Sequence, residues 1–168
     1  MGRFLNPGNG GFRKIIKPET YVDKTGIIGY LNEWIDTDSR FVCVSRARRF
    51  GKTVAARTIR AYYDNSCDSH DLFAPYEIAR DPSYEAHINK YDVIGLDVQA
   101  FFQFGQDHQT FVERLVMAVR DEVCKKWSSI DGLGEMTLAD ALATVHLETG
   151  AKFVFVIDEW DAVFRYYP

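Results

Sequence analysis

Three consecutive residues, Gly51-Lys52-Thr53, have the side chains needed to hold a phosphate chain. Glycine lets the backbone approach the phosphates, lysine supplies a cation for the β- and γ-phosphates, and the threonine hydroxyl ligates Mg²⁺. The apolar run Phe41–Val44 precedes them and predicts a buried strand, while apolar spacing predicts a helix from Lys52 to about Asp64. A helix N-terminus adds unpaired N–H groups and partial positive charge. The pattern therefore predicts a phosphate-binding loop that includes Phe50, Gly51, Lys52, Thr53 and Val54.

Arginines give this loop an unusual composition. The complete phosphate-loop (Walker A) pattern begins with a glycine five positions before Gly51, where this chain has Arg46. Arginine adopts positive φ only at a cost, so the loop would begin with a different turn. Arg48 and Arg49 would add cations beside a bound triphosphate. The alternative is a solvated basic loop that contacts acidic neighbours.

Two adjacent carboxylates, Asp158 and Glu159, follow the most strand-like run of the chain, Phe153–Ile157. Carboxylates at a buried strand end are costly unless a cation or a hydrogen-bond donor meets them. In a phosphate-loop enzyme such an aspartate (Walker B) holds the magnesium shell, and the glutamate deprotonates the attacking water. The alternative is a strand that simply reaches solvent at Asp158.

Strands and helices alternate along the chain. After Phe41–Val44 and its helix, residues 65–90 predict short helices and loops, and Val93–Val98 predicts a second buried strand that ends near Asp97. Helices are predicted over residues 25–35, from about Gln109, and from Thr137 to Glu148, where Thr137 and Gly150 are capping residues. Continuously apolar strands indicate a parallel sheet covered on both faces, an α/β fold. Ligands bind at the carboxyl ends of such strands, although Asp97 itself is expected to cap a helix or turn.

Composition narrows the classes of function. The chain has 168 residues, 46% hydrophobic and 26% charged, with net charge −4, so nothing indicates general nucleic-acid affinity, although a local basic patch is not excluded. Three scattered cysteines indicate reduced thiols and a cytoplasmic protein. Four histidines lack metal-ligand spacing, and neither a signal peptide nor a membrane span is predicted.

Three segments together resemble the AAA-ATPase-like family of prokaryotes, within the phosphate-loop NTPase superfamily: Tyr21-Val22-Asp23-Lys24-Thr25, the arginine-rich loop from Ser45 to Thr53, and Ile157-Asp158-Glu159-Trp160-Asp161. The resemblance covers nearly the whole chain. It implies ATP and Mg²⁺ as ligands. It also implies that Tyr21–Lys24 lies near the nucleotide base, although a helix-entry role fits that segment equally well. Members carry arginines in place of the first loop glycine, and most have Pro where this chain has Ala47.

These features predict an ATP-binding domain of the hydrolysing type, with a three-layer phosphate-loop fold. Lys52 and the loop amides would hold phosphates, Thr53 and Asp158 would hold Mg²⁺, and Glu159 would activate water. One alternative is a module that binds nucleotide without turnover. Another is a structural or interaction fragment that binds no nucleotide.

The sequence also predicts an incomplete domain. Residues 1–24 are interpreted as an irregular arm, in which Gly8–Gly11 is expected to be a flexible loop in preference to a ligand contact, and 25–168 as a phosphate-loop domain that ends after the Asp-Glu strand. In the related enzymes another strand lies between the phosphate-loop strand and the Asp-Glu strand, and Val93–Val98 would lie on the far side. The intervening strand is expected after residue 168. A gap or displaced pairing in the sheet, marginal stability, and completion by self-association or a C-terminal domain are expected.

Overall fold

The computed structural model describes residues 2–18, 20–45, 47, 50–102 and 108–162. The chain divides into two compact units. We call Gly8–Tyr91 the helical unit, and Met1–Pro7 together with Asp92–Pro168 the sheet unit.

Helices supply the regular structure that the model describes in the helical unit. They are α1 (Gly10–Ile15), α2 (Gly26–Trp34), α3 (Lys52–Tyr63), α4 (His70–Phe73), a 3₁₀ helix (Glu77–Arg80) and α5 (Tyr84–His87). The predicted helices α2 and α3 are confirmed, as are the short helices within residues 65–90.

Aromatic side chains form the core of the helical unit. Phe12 stacks on Phe73 with ring centroids 4.7 Å apart, and Tyr62 meets Phe73 edge to face. Burial of several large rings is the main stabilising term for such a small unit. Within this core the Tyr63 hydroxyl donates to Asn32 Oδ1 over 2.7 Å. This core fixes α2 and α3, which carry the residues discussed below.

The sheet unit contains two parallel strands and several helices. Its elements are β1 (Asp92–Asp97), α6 (Val98–Phe102), α7 (His108–Lys126), a 3₁₀ helix (Leu133–Glu135), α8 (Leu138–Thr149) and β2 (Phe153–Asp158). β1 and β2 pair in register from Asp92 opposite Phe153 to Asp97 opposite Asp158. The strand predictions at 93–98 and 153–159 are thus confirmed, and the unit is a mixed α/β structure with a small parallel sheet.

Helix α8 has the predicted caps. The Asp140 N–H donates to Thr137 Oγ1 over 3.2 Å, while the Thr137 hydroxyl donates to the Asp140 carboxylate. Gly150 follows the helix with φ of 72°, a conformation that glycine adopts at little cost. Within the described residues, no helix is long and apolar enough to cross a bilayer.

Residues 2–12, predicted as part of an irregular arm, pack into the fold, and the flexible loop predicted at Gly8–Gly11 is wrong where α1 begins at Gly10. Phe4 and Leu5 are buried in the core of the sheet unit, beside Ile94 and Val119. Leu5 forms an antiparallel bridge with Ile94, and the Glu122 carboxylate accepts the N–H groups of Arg3, Phe4 and Leu5. Residues 10–12 begin α1, in which Phe12 is fully buried. The glycines and asparagines of the segment favoured the prediction of irregular structure, although three large apolar side chains, Phe4, Leu5 and Phe12, are buried.

The prediction of a buried strand at Phe41–Val44 is also wrong. These residues lie outside the strands, and Phe41 is 83% exposed. Their backbone groups form no ladder hydrogen bonds with the described residues. An apolar, β-branched run gives a tendency to form a strand, but the strand needs a neighbouring segment to pair with.

Candidate functional site

A cavity of about 400 Å³ in the helical unit adjoins the predicted phosphate loop. Its polar and charged lining comes from Lys24, Lys52 and Glu77, together with the Gly51 backbone. Its apolar lining includes Ile27, Val44 and Phe50. A concave site with a few charged groups among apolar side chains is typical of small-molecule binding. The structure therefore brings together Phe50, Gly51 and Lys52, which were predicted from sequence.

The N-terminus of α3 presents hydrogen-bond donors beside this cavity. Gly51 precedes the helix with φ of 83°, a conformation strained for residues that have a Cβ, and it offers no side-chain cap. The first helical bond joins the Ala55 N–H to the Gly51 carbonyl. The N–H groups of Thr53 and Val54 have no acceptor within the described part of the chain. Unpaired N–H groups and the helix dipole favour an anion at this position.

The Thr53 side chain is half-buried, one residue into α3. Its hydroxyl makes no hydrogen bond to the described residues, whereas Thr58, further along the helix, donates to the Val54 carbonyl over 2.9 Å. The Thr53 hydroxyl therefore has no partner among the described residues, and its role as an Mg²⁺ ligand stays a prediction.

Tyr21 and Lys24, at the two ends of the segment Tyr21–Lys24, lie in different environments. The Tyr21 ring packs against Phe12 and Tyr76, with centroids 5.9 and 5.3 Å away. Burial, assisted by the negative charge of Asp23, raises the pKa of Tyr21 to about 12, so its hydroxyl remains neutral near pH 7. Tyr21 does not line the described cavity, whereas Lys24 does. The predicted contact of Tyr21 with the nucleotide stays a prediction.

Arg46, Arg48 and Arg49 lie outside the described residues. The role of Arg48 and Arg49 as phosphate contacts therefore stays a prediction.

The carboxyl end of β2 carries the second predicted group of site residues, in the sheet unit. Asp158 is only 7% exposed, and its carboxylate accepts one hydrogen bond in the described structure, from the Glu159 N–H at 3.1 Å. Asp97 is its register partner on β1, and accepts the Ala100 N–H over 2.9 Å. The predicted capping role of Asp97 is confirmed, whereas the Asp158 carboxylate retains acceptor capacity.

Glu159 has a strained backbone. Its φ of 54° lies in the left-handed region, which costs a residue with a side chain about 1–2 kcal/mol. Backbone strain of this kind clusters at functional sites, because the surrounding structure must hold the residue in place. The side chain is half-buried, directly after the buried Asp158.

Sequence reasoning did not find Glu77, a charged lining residue of the cavity. Glu77 comes from a segment predicted only as short helices and loops, so no pattern pointed to it. Lys24 was noted within a motif, but its position beside Gly51 depends on the packing of α2 against the 3₁₀ helix Glu77–Arg80. No group of three or more potential metal-ligating His, Cys, Asp or Glu side chains occurs among the described residues.

Comparison with known proteins gave one match. The profile of a family described as "Predicted AAA-ATPase" matches residues 8–165. No curated protein and no solved structure matched the chain.

Proposed function

The chain belongs to the predicted AAA-ATPase family, and on this premise we propose that it binds ATP with Mg²⁺ at the cavity beside Gly51 and hydrolyses it. The family itself indicates nucleotide binding in general. The choice of ATP, the need for Mg²⁺ and the hydrolytic step are our proposal.

The observation that carries this proposal is the combination of cavity, lysine and unpaired amides at the N-terminus of α3. Lys52 lines the cavity, and the N–H groups of Thr53 and Val54 lack acceptors within the described chain. A phosphate chain would satisfy these donors and the helix dipole together. The apolar lining, Ile27, Val44 and Phe50, supplies surface for the uncharged part of a nucleotide.

Two oxygen groups fit Mg²⁺. The Thr53 hydroxyl is without a hydrogen-bond partner in the described structure, and the buried Asp158 carboxylate has one. Mg²⁺ in nucleotide enzymes keeps several waters and takes only one or two protein oxygens, with the rest from phosphates. The absence of a larger acidic cluster among the described residues therefore agrees with this chemistry. When bound, the ion neutralises charge on the phosphate oxygens.

Glu159 is the general base of the proposed reaction. Its carboxylate would accept the proton of the water that attacks the terminal phosphate, while Lys52 would stabilise the charge on the phosphate oxygens. The left-handed backbone of Glu159 supports this role, because strained residues of this kind cluster at functional sites. The strained conformation also fixes the direction in which the side chain leaves the backbone after β2.

One observation favours binding without turnover as a second candidate. The described cavity is lined by residues of the helical unit, Gly8–Tyr91, whereas Asp158 and Glu159 belong to the sheet unit. Nucleotide binding at the cavity therefore does not by itself engage the proposed base. Turnover measurements on the wild-type chain decide between the two candidates.

The test compares thermal unfolding of the wild-type chain and Lys52→Ala, with and without ATP and Mg²⁺. We expect ATP to raise the melting temperature of the wild type, because a ligand that binds the native state stabilises it. The shift should disappear in Lys52→Ala, which lacks the main cation facing the phosphates. Lys14→Ala, which removes an exposed lysine of α1 outside the cavity, is the matched control and should respond like wild type. An equal shift in Lys52→Ala would contradict the site, and no shift in the wild type would favour a fragment without nucleotide.

A further inference from the structure

A second lysine, Lys24, lies at the same end of the cavity as Gly51. Its Nζ is 3.9 Å from the point that a Cβ on Gly51 would occupy, and it lines the cavity together with Lys52. Within the described residues Lys24 forms no ion pair, although Glu77 also lines the cavity. The ammonium group therefore lies beside the N-terminus of α3.

The backbone on both sides of Lys24 is fixed. The Asp23 carboxylate accepts the Thr25 N–H through one oxygen and the Glu77 N–H through the other, each over 2.8 Å. Thr25 is fully buried, and its Oγ1 accepts the Ile78 N–H over 3.2 Å. These bonds attach the segment to the first turn of the 3₁₀ helix Glu77–Arg80.

Asp23 is ionised in this arrangement. Burial alone would raise its pKa, but the N–H groups of Glu77 and Thr25 outweigh burial and hold the pKa below its usual value. The carboxylate is thus occupied by backbone donors, not by the neighbouring lysine. Asp23 and Thr25 hold the backbone on both sides of Lys24, so the Lys24 side chain can contact a ligand in the cavity.

Two lysines line this cavity, and the N–H groups of Thr53 and Val54 beside it have no acceptor among the described residues, so this end of the cavity favours an anion. Lys24 precedes α2 and Lys52 begins α3, so the two lysines belong to different elements. A single phosphate can be held at a helix N-terminus alone, whereas a phosphate chain gives a second cation something to bind. The ligand class that fits is a nucleoside di- or triphosphate.

We propose that Lys24 is a second phosphate-binding residue, which binds the β- or γ-phosphate of the nucleotide beside Lys52. This inference rests on the proposed function, because it requires a nucleotide in the cavity. It differs from the expectation drawn from family resemblance, which placed the Tyr21–Lys24 segment near the base. If Lys24 binds the phosphate chain, its loss affects ATP and ADP but spares AMP.

The experiment measures the binding of ATP, ADP and AMP with Mg²⁺ to the full chain by calorimetry. The variants are Lys24→Ala and Lys24→Gln, with Lys14→Ala as a control of equal charge. We expect both Lys24 variants to bind ATP about 10–100-fold more weakly, the usual range for losing a hydrogen bond to a charged group. AMP binding should change less than about 3-fold, and Lys14→Ala should match wild type. Lys24 is exposed, so circular dichroism should show unchanged folding.

Several outcomes would overturn the inference. Wild-type affinity for ATP in either Lys24 variant, with binding lost in Lys52→Ala, would remove Lys24 from the site and leave the proposed function standing. A loss in Lys24→Ala that Lys24→Gln does not share would show a packing role in place of a charge role. Equal weakening of AMP and ATP would place Lys24 at the base or ribose. A wild-type chain that binds no nucleotide would defeat the inference and the proposed function together.

Discussion

Phe41–Val44 and Phe153–Asp158 both lead into a group of candidate site residues, yet only the second is a strand. Phe153–Asp158 has six register partners on β1. Phe41–Val44 has no ladder partner among the described residues and is exposed. Local β-propensity therefore made both segments candidates for strands, but only the segment that pairs with a neighbouring strand forms one.

The two groups of candidate site residues depend on different kinds of secondary structure. The Asp158 carboxylate depends on a strand, because the end of β2 buries it and orients it. The Gly51–Thr53 group depends on α3, whose N-terminus exists without a paired strand in front of it. A helix forms its hydrogen bonds within one segment, whereas a strand must find another segment.

Glu159→Gln gives the largest expected effect among tests of this difference. The variant should still bind ATP, because the described cavity is in the helical unit, and should lower hydrolysis by about 10²–10⁴, the usual share of a general base. Phosphate release measured alongside calorimetry separates the two properties. Glu148→Gln, an exposed carboxylate at the end of α8, is the control. Unchanged turnover would remove Glu159 from the mechanism, and lost binding would show that the two groups are not separable.

A matched pair of valine substitutions tests the structural side of the comparison. Val156→Ala removes methyl groups from the buried face of β2 and should lower the free energy of unfolding by about 1–3 kcal/mol. Val42→Ala changes a residue that is 38% exposed and should cost about 0.5 kcal/mol or less. Urea unfolding of the two variants gives the difference. Equal losses would mean that Phe41–Val44 is as well packed in solution as β2.

The smallest expected effect concerns pH and the Asp23 hydrogen bonds. The pKa of Asp23 is lower in the folded chain than in the unfolded chain, where it is about 3.9. Ionised Asp23 therefore stabilises the fold above that pH, and the contribution is lost as the pH falls through the folded-state pKa. Acid titration followed by fluorescence should show a shallower loss for Asp23→Asn than for wild type. Asp71→Asn, an exposed carboxylate in the same unit, is the control, and a slope as shallow as that of Asp23→Asn would attribute the effect to net charge.

Much of the fold was predictable because its signals are local. The apolar spacing of α2, α3, α7 and α8 and the caps of α8 depend on neighbouring residues, and the structure confirms them. The strands at 92–97 and 153–158 were found because their apolar runs are long. By contrast, the burial of Phe4 and Leu5 depends on contacts with Val119 and Ile94, more than eighty positions away in the chain.

The candidate site, too, could be predicted from the sequence only in part. Gly51, Lys52 and Thr53 form a contiguous pattern, so the sequence located them without knowledge of the fold. Lys24 and Glu77 reach the cavity only because Asp23 and Thr25 bond to the turn that begins at Glu77. No spacing rule encodes that contact, and the Lys24 role was therefore open until the structure was known.

The bridge between Leu5 and Ile94 has a consequence for biosynthesis. Phe4 and Leu5 leave the ribosome before the helical unit does, but their partners on β1 and α7 are made only after the whole helical unit has been synthesised. The helical unit, Gly8–Tyr91, is continuous in sequence and can fold as soon as it emerges. Phe4 and Leu5 must meanwhile wait without these partners. A chaperone that binds apolar segments would find its target during that interval, and slowing translation after Tyr91 would lengthen it.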